Sequence, residues 1–165
     1  MSSSVRAVQD KPQARGCGVI VAKRAAAFKW TEAHDEAFPD IPHGQIPFGN
    51  QILVQLRRPP AKVGRLILSD ESKAIEQSRT QIGVIRAVGP LAFCNQETMK
   101  EWPEGAWAEP GDFVRIPLYG GDRAYVDAPS GEPVVFVLIK DLHLVAGVVG
   151  DPLTIKAYVA GGSNA

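Results

Sequence analysis

The chain has 165 residues, 45% of them hydrophobic, with 18 basic and 18 acidic side chains. That apolar share is enough for a packed core and excludes wholesale disorder. The zero net charge gives no overall pull toward nucleic acid or an anionic membrane, and no apolar run is long enough to span a bilayer. Thirteen prolines and sixteen glycines point to many turns and a β-rich chain. The two cysteines, Cys17 and Cys94, are far apart and form no disulfide framework, so a reducing compartment is expected.

Residues 1–44 read as an N-terminal extension. Between Arg6 and Lys29 six basic residues stand against one acidic residue, Asp10, the pattern of a solvated arm. Gly18 to Ala22 has strand character. Ala25 to Ala37 predicts a short helix with Thr31 as N-cap and Glu32 in its first turn, ended by Pro39 and Pro42.

The regular part begins near Ile46. Over Asn50 to Arg57 the residues Ile52, Val54 and Leu56 alternate with Leu53, Gln55 and Arg57, which predicts a half-buried strand. Arg58, Pro59 and Pro60 stop it. Ala61 to Gln81 is mostly polar and reads as a long loop, interrupted by the apolar triplet Leu66, Ile67 and Leu68. Taken alone, that triplet also fits a buried strand. Ile82 to Val88 predicts a strand with Ile82, Val84 and Val88 on one face.

Leu91 to Pro110 is an irregular connection holding Trp102 and Trp107. After Gly111 and Asp112 a strand is expected, with Val114, Ile116 and Leu118 to one side. Tyr119 to Asp122 turns the chain into a strand over Arg123 to Val126. Ala128 to Pro133 turns it again. Val134 to Ile139 predicts a strand buried on both sides, and Leu142 to Val149 a last strand. Residues 150–165 form a C-terminal tail. Short strands separated by glycine and proline predict an all-β fold, a small Greek-key β-barrel.

In order and spacing, residues 46–149 resemble the GroES co-chaperonin family, including its phage-encoded relatives. The run from Ile46 to Arg58 resembles the family's first strand. Gly64, followed by Leu66, Ile67 and Leu68, resembles its mobile-loop motif. Ile82 to Gly89 resembles the strand leaving that loop. Pro110 to Val114, then Tyr119 to Gly121, resembles the Gly-Asp strand and glycine turn. Val134 to Ile139 and Asp141 to Ala146 resemble the final strands.

The resemblance implies a GroES-like barrel over 45–149, with a mobile loop at about 59–81 and a roof connection at about 90–110. It implies chaperonin binding through Gly64, Leu66, Ile67 and Leu68. It also implies a ring homo-oligomer, seven copies in the family, capping a GroEL-like chaperonin that itself hydrolyses ATP. In such a ring the first strand pairs with a neighbour's last strand, which assigns Ile52, Val54, Leu142, Leu144 and Val145 to the contact between copies. Pairing within one chain is the alternative. The expected setting is the cytoplasm of a bacterial cell or phage-infected host. The chain departs from a minimal family member in both termini and in the sequence of the 91–110 connection.

No cofactor, metal or catalysis is expected. Nothing matches GxxxxGK[ST] or GxSxG, and Gly16 and Gly18 supply only two of the three dinucleotide-fingerprint glycines. His34, His43 and His143 lack metal-ligand spacing. The GroES-like barrel of medium-chain dehydrogenases would need a cofactor domain, for which 165 residues leave no space. The competing function is structural: the same barrel as a component of a virus particle or other shell, with its extra termini as staples.

Overall fold

Strand β1 (Gln51–Leu56) lies in the middle of an antiparallel sheet, flanked on one side by β4 (Ile82–Val88) and on the other by β7 (Pro133–Lys140). The computed structural model describes residues 28–60, 62–63, 66–67, 69, 71 and 80–155. The predicted strand at 18–22 lies outside them, as do Gly64, Leu68 and residues 25–27 of the predicted helical run. Beyond β4 come β5 (Phe113–Arg115) and β8 (Ala146–Gly147), and beyond β7 comes β6 (Asp122–Asp127). The expected all-β class holds, and a short helix, α1 (Glu32–Ala37), precedes β1. The expected closure does not appear. Among the described residues no pairing joins β6 to β8, so the sheet is open and these two strands are its edges. No helix among those residues is long and apolar enough to cross a membrane.

One face of the sheet gathers Ile52, Val54 and Leu56 of β1 with Ile85, Val114, Ile116, Val137 and Ile139. The 91–110 connection closes this core with Phe93, Ala108 and the inner side of Trp102. Its rings stack: Trp102 and Trp107 lie 6.3 Å apart, and Trp107 meets Phe93 edge-on at 5.5 Å. The connection carries one bridge, Cys94 to Glu101. It is tied to the sheet by Asp141, a fully buried carboxylate accepting the amides of Phe93 and Leu142, each at 2.7 Å, and Asn50 Nδ2 at 3.2 Å.

The second face was expected to meet solvent along β1. Instead Leu53 and Gln55 are fully buried, because the supposed extension folds over them. Ala37 and Phe38 pack on Ile82 and Val84, and Ile41 packs on the cluster of Leu53, Val134 and Phe136. Leu153 and Ile155, from the far end of the chain, join the same layer. Residues 28–44 are therefore part of the folded body. Helix α1 has the expected N-cap, Thr31, and stops at Ala37, ahead of Pro39.

A β-bulge corrects the expected facing of β4. Leu53 opposes Ala87 and Val54 opposes Ile85, which leaves Arg86 as the extra residue. The parity of the strand reverses there. Ile82 and Val84 look toward α1, whereas Val88 packs into the opposite core. Bulged Arg86 then reaches Gln55 Oε1 at 2.6 Å and the carbonyls of Phe38 and Pro39, while Gln55 Nε2 donates to Pro39 O at 2.9 Å.

Two further elements differ from expectation. The last strand shrinks to β8, because the 3-10 turn Asp141–His143 takes up the first part of the predicted run. The 61–81 loop contains a small antiparallel ribbon, β2 (Lys62–Val63) with β3 (Leu66–Ile67).

Close packing of β4 against β1 makes Gly83 a sensitive position. A Cβ there would sit 2.7 Å from Gln55 O and press on Val54 Cγ1. Gly83→Ala is expected to destabilise the fold by about 1–3 kcal/mol, read as a lowered midpoint in urea unfolding at unchanged slope.

Candidate interaction site

Leu66 and Ile67 of the predicted chaperonin-binding triplet fall on the β2–β3 ribbon, while Gly64 and Leu68 lie outside the described residues. Lys62 pairs with Ile67 and Val63 with Leu66, forming a two-stranded sheet separate from the six-stranded one. Ile67 is 71% exposed. The alternative of a strand buried in the main core therefore fails for Ile67: it joins no core cluster and no strand of the large sheet. An isolated two-stranded ribbon is marginal in water, so its shape depends on what holds its base.

That base is well held. The Arg57 amide donates to Ile82 O at 2.9 Å, joining the two ends of the excursion where they leave the sheet. Gln81 O accepts the Ile116 amide at 2.8 Å, and Gln81 Nε2 donates back to Ile116 O at 3.3 Å. Burial pushes the Arg58 guanidinium below its ordinary value, with nearby Glu36 opposing the shift. Burial lowers Arg123 in the same way; its Nη2 donates to Leu118 O at 2.8 Å.

The residues assigned to contacts between copies separate into two groups. Ile52 and Val54 are wholly buried core residues of this chain, and both edges of their strand are occupied by β4 and β7. Their place is inside the subunit. Leu142 and Val145 stand 55% and 49% exposed around β8, and Leu144 is half-buried against the core. Two residues of the first-strand region, Ile46 at 80% and Phe48 at 82%, are more exposed than any of these and lie before β1. Pro47 stands between them. It lacks an amide, so this stretch cannot enter the ladder from both sides.

His34, set aside as a metal ligand, is buried and structural. Its Nδ1 accepts the Thr31 amide at 3.1 Å, and its Nε2 meets Asp151 Oδ1 at 2.9 Å. The rings of Phe28 and Trp30 lie 5.2 and 5.0 Å away. The contact clasps α1 to the C-terminal segment. Among the described residues no group of three or more His, Cys, Asp or Glu side chains is placed to hold a metal ion.

The contrast between the two groups is measurable. Ile67→Glu is expected to change unfolding free energy by less than about 0.5 kcal/mol, as for an exposed site. Ile52→Ala is expected to cost about 2–5 kcal/mol, as for a core deletion. Equilibrium denaturation of both variants checks this.

Against known proteins, no family model matches the chain and no curated protein matches it.

Proposed function

We propose that this protein is a co-chaperonin, whose copies form a ring that caps a GroEL-like chaperonin and so assists folding inside it. The observation that carries this reading is the position of Ile67, a large aliphatic side chain held out in water on a ribbon outside the main sheet. Its neighbours in sequence, Gly64, Leu66 and Leu68, complete the motif that resembles the family's chaperonin-binding loop. The sheet whose core holds Ile52, Val54, Ile85, Val114 and Val137 is compatible with the family's Greek-key barrel, with the 91–110 connection as its roof.

The energetics suit a cap that must come off again. Burying one aliphatic side chain contributes roughly 1.5–3 kcal/mol, and ordering a segment on contact offsets a few kcal/mol of the gain. One such segment is a weak ligand. A ring presents many at fixed spacing, and linked binding raises avidity by roughly 10²–10⁴ over a single site. A modest change in the receptor groove, driven by the chaperonin's own ATP cycle, then suffices for release.

Ring contacts are supplied by exposed apolar residues at the two ends of the core sequence. Ile46 and Phe48 of one copy meet Leu142, Val145 and Val149 around the short edge strand β8 of the next. Such a head-to-tail contact closes into a ring when its rotation closes. This arrangement keeps the predicted pairing of first and last segments and centres its first half on the residues before β1.

One observation favours a second reading. The edge strand β6 is open, with Tyr125 72% exposed on it and Tyr119 87% exposed just before it, and the lid makes no use of them. A shell component would use such an edge to bind its neighbours.

The test is retention by a GroEL-like chaperonin with and without ATP. Wild type should be retained as a ring. Ile67→Glu should lose retention by at least a hundredfold while sedimenting as the same oligomer, and Phe48→Asp should shift the oligomer toward monomer. Full retention of Ile67→Glu, or wild type that copurifies with particles and ignores the chaperonin, would overturn the lid.

A further inference from the structure

The end of α1 and residues 152–155 converge on the point where the 59–81 segment leaves the sheet. Arg57 Nη1 donates to Pro152 O at 2.8 Å and to Ile155 O at 2.7 Å. The next residue, Arg58, donates its amide to Ala37 O, at the end of α1, at 2.9 Å. Its guanidinium pairs with Glu132 in the turn between β6 and β7. Its side chain is only 14% exposed, whereas Glu132 is 45% exposed and Glu36 is exposed on α1. Helix α1 is in turn clasped to the C-terminal segment by His34 and Asp151. On the returning side Thr80 is buried.

Immediately after Arg58 come Pro59 and Pro60, and β2 begins at Lys62. Proline fixes its own φ near −65° and stiffens the chain around it. An orientation set at Arg58 is therefore carried outward rather than lost in the next few bonds.

We propose that α1 and residues 151–155 form a collar around the root of the 59–81 segment, with Arg58 as the positioning residue that sets the direction in which the β2–β3 ribbon stands off the sheet. The purpose of the collar rests on the lid reading, because multivalent capture fails when geometry prevents simultaneous engagement. Its existence does not. An ion pair with partly exposed glutamates contributes little to global stability, so the collar can be loosened while the fold stays intact.

The test measures direction without any chaperonin. In a Cys17→Ser/Cys94→Ser background, spin labels are placed at Ile67→Cys and Lys140→Cys, diluted with unlabelled copies to remove distances between subunits. Wild type should give a single narrow distance distribution. Arg58→Met should at least double its width, and so should the double variant Glu36→Gln/Glu132→Gln, which leaves every buried side chain unaltered. Circular dichroism should be unchanged in both. Widths that stay the same in both variants would overturn the collar. In a second arm, unlabelled Arg58→Met should bind the chaperonin at least tenfold more weakly than wild type, while a peptide of residues 59–81 competes equally against both. Equal binding alongside a broadened distance would refute the role in capture. If wild type itself is not retained, the lid reading falls, and the distance measurement still decides the collar.

Discussion

Gln55 is a fully buried amide in the central strand, and the arrangement around it follows from satisfying it. A buried polar group left without a partner costs about 1–3 kcal/mol. Its acceptor oxygen takes a hydrogen bond from Arg86, which reaches it from the bulge in β4. Arg86 brings a charge into the same place, and that charge needs acceptors of its own. It finds them in the carbonyls of Phe38 and Pro39, just past the end of α1. A helix C-terminus presents unpaired carbonyls and the negative end of its dipole, so a cation there is favourable. One amide thus couples the middle strand, the irregularity in its neighbour and the docking of the N-terminal segment.

This coupling divides the molecule into a well-braced body and a projecting ribbon. The body is fixed on one face by the polar knot at Gln55 and on the other by Asp141, which ties the 91–110 connection to the start of β1 and the end of β7. The ribbon has a partner only in itself among the described strands. Ile67 stands exposed on that ribbon, apart from the residues that brace the body, so it can be altered without disturbing them.

Most strands were legible from alternation alone, and β7 was legible as an apolar run buried on both sides. What escaped notice shares a physical cause. Alternation reports side-chain direction only while the ladder is regular, and the bulge at Arg86 reverses direction midway, so Val88 was placed on the wrong face. Gln55 and Arg57 look like solvent-facing residues because polarity was the only cue; their partners lie in Pro39 and in residues 152–155, remote in sequence. The covering segment itself has its apolar residues, Trp30, Ala37, Phe38 and Ile41, at no regular period. Within the candidate site, the apolar run at 66–68 was legible in the sequence, whereas the exposure of Ile67 was not, because an apolar triplet fits a buried strand equally well. Ile52 and Val54, assigned to a contact between copies, are core residues because both edges of β1 are paired within the chain, which alternation along one strand does not reveal.

The pairing of β1 with β7 has a consequence for how the chain is made. Residues 51–55 wait for residues 136–140 before their hydrogen bonds are complete. At roughly 5–20 residues per second on a ribosome, the eighty positions from Leu56 to Phe136 take about 4–16 s to emerge. For that interval an apolar segment sits in the cell with one edge unfinished, and such long-range pairing is intrinsically slow to form. The nascent chain is thereby an aggregation hazard during its own translation, and Gln55, an amide near the end of that segment, keeps it from being a uniformly greasy strand while it waits.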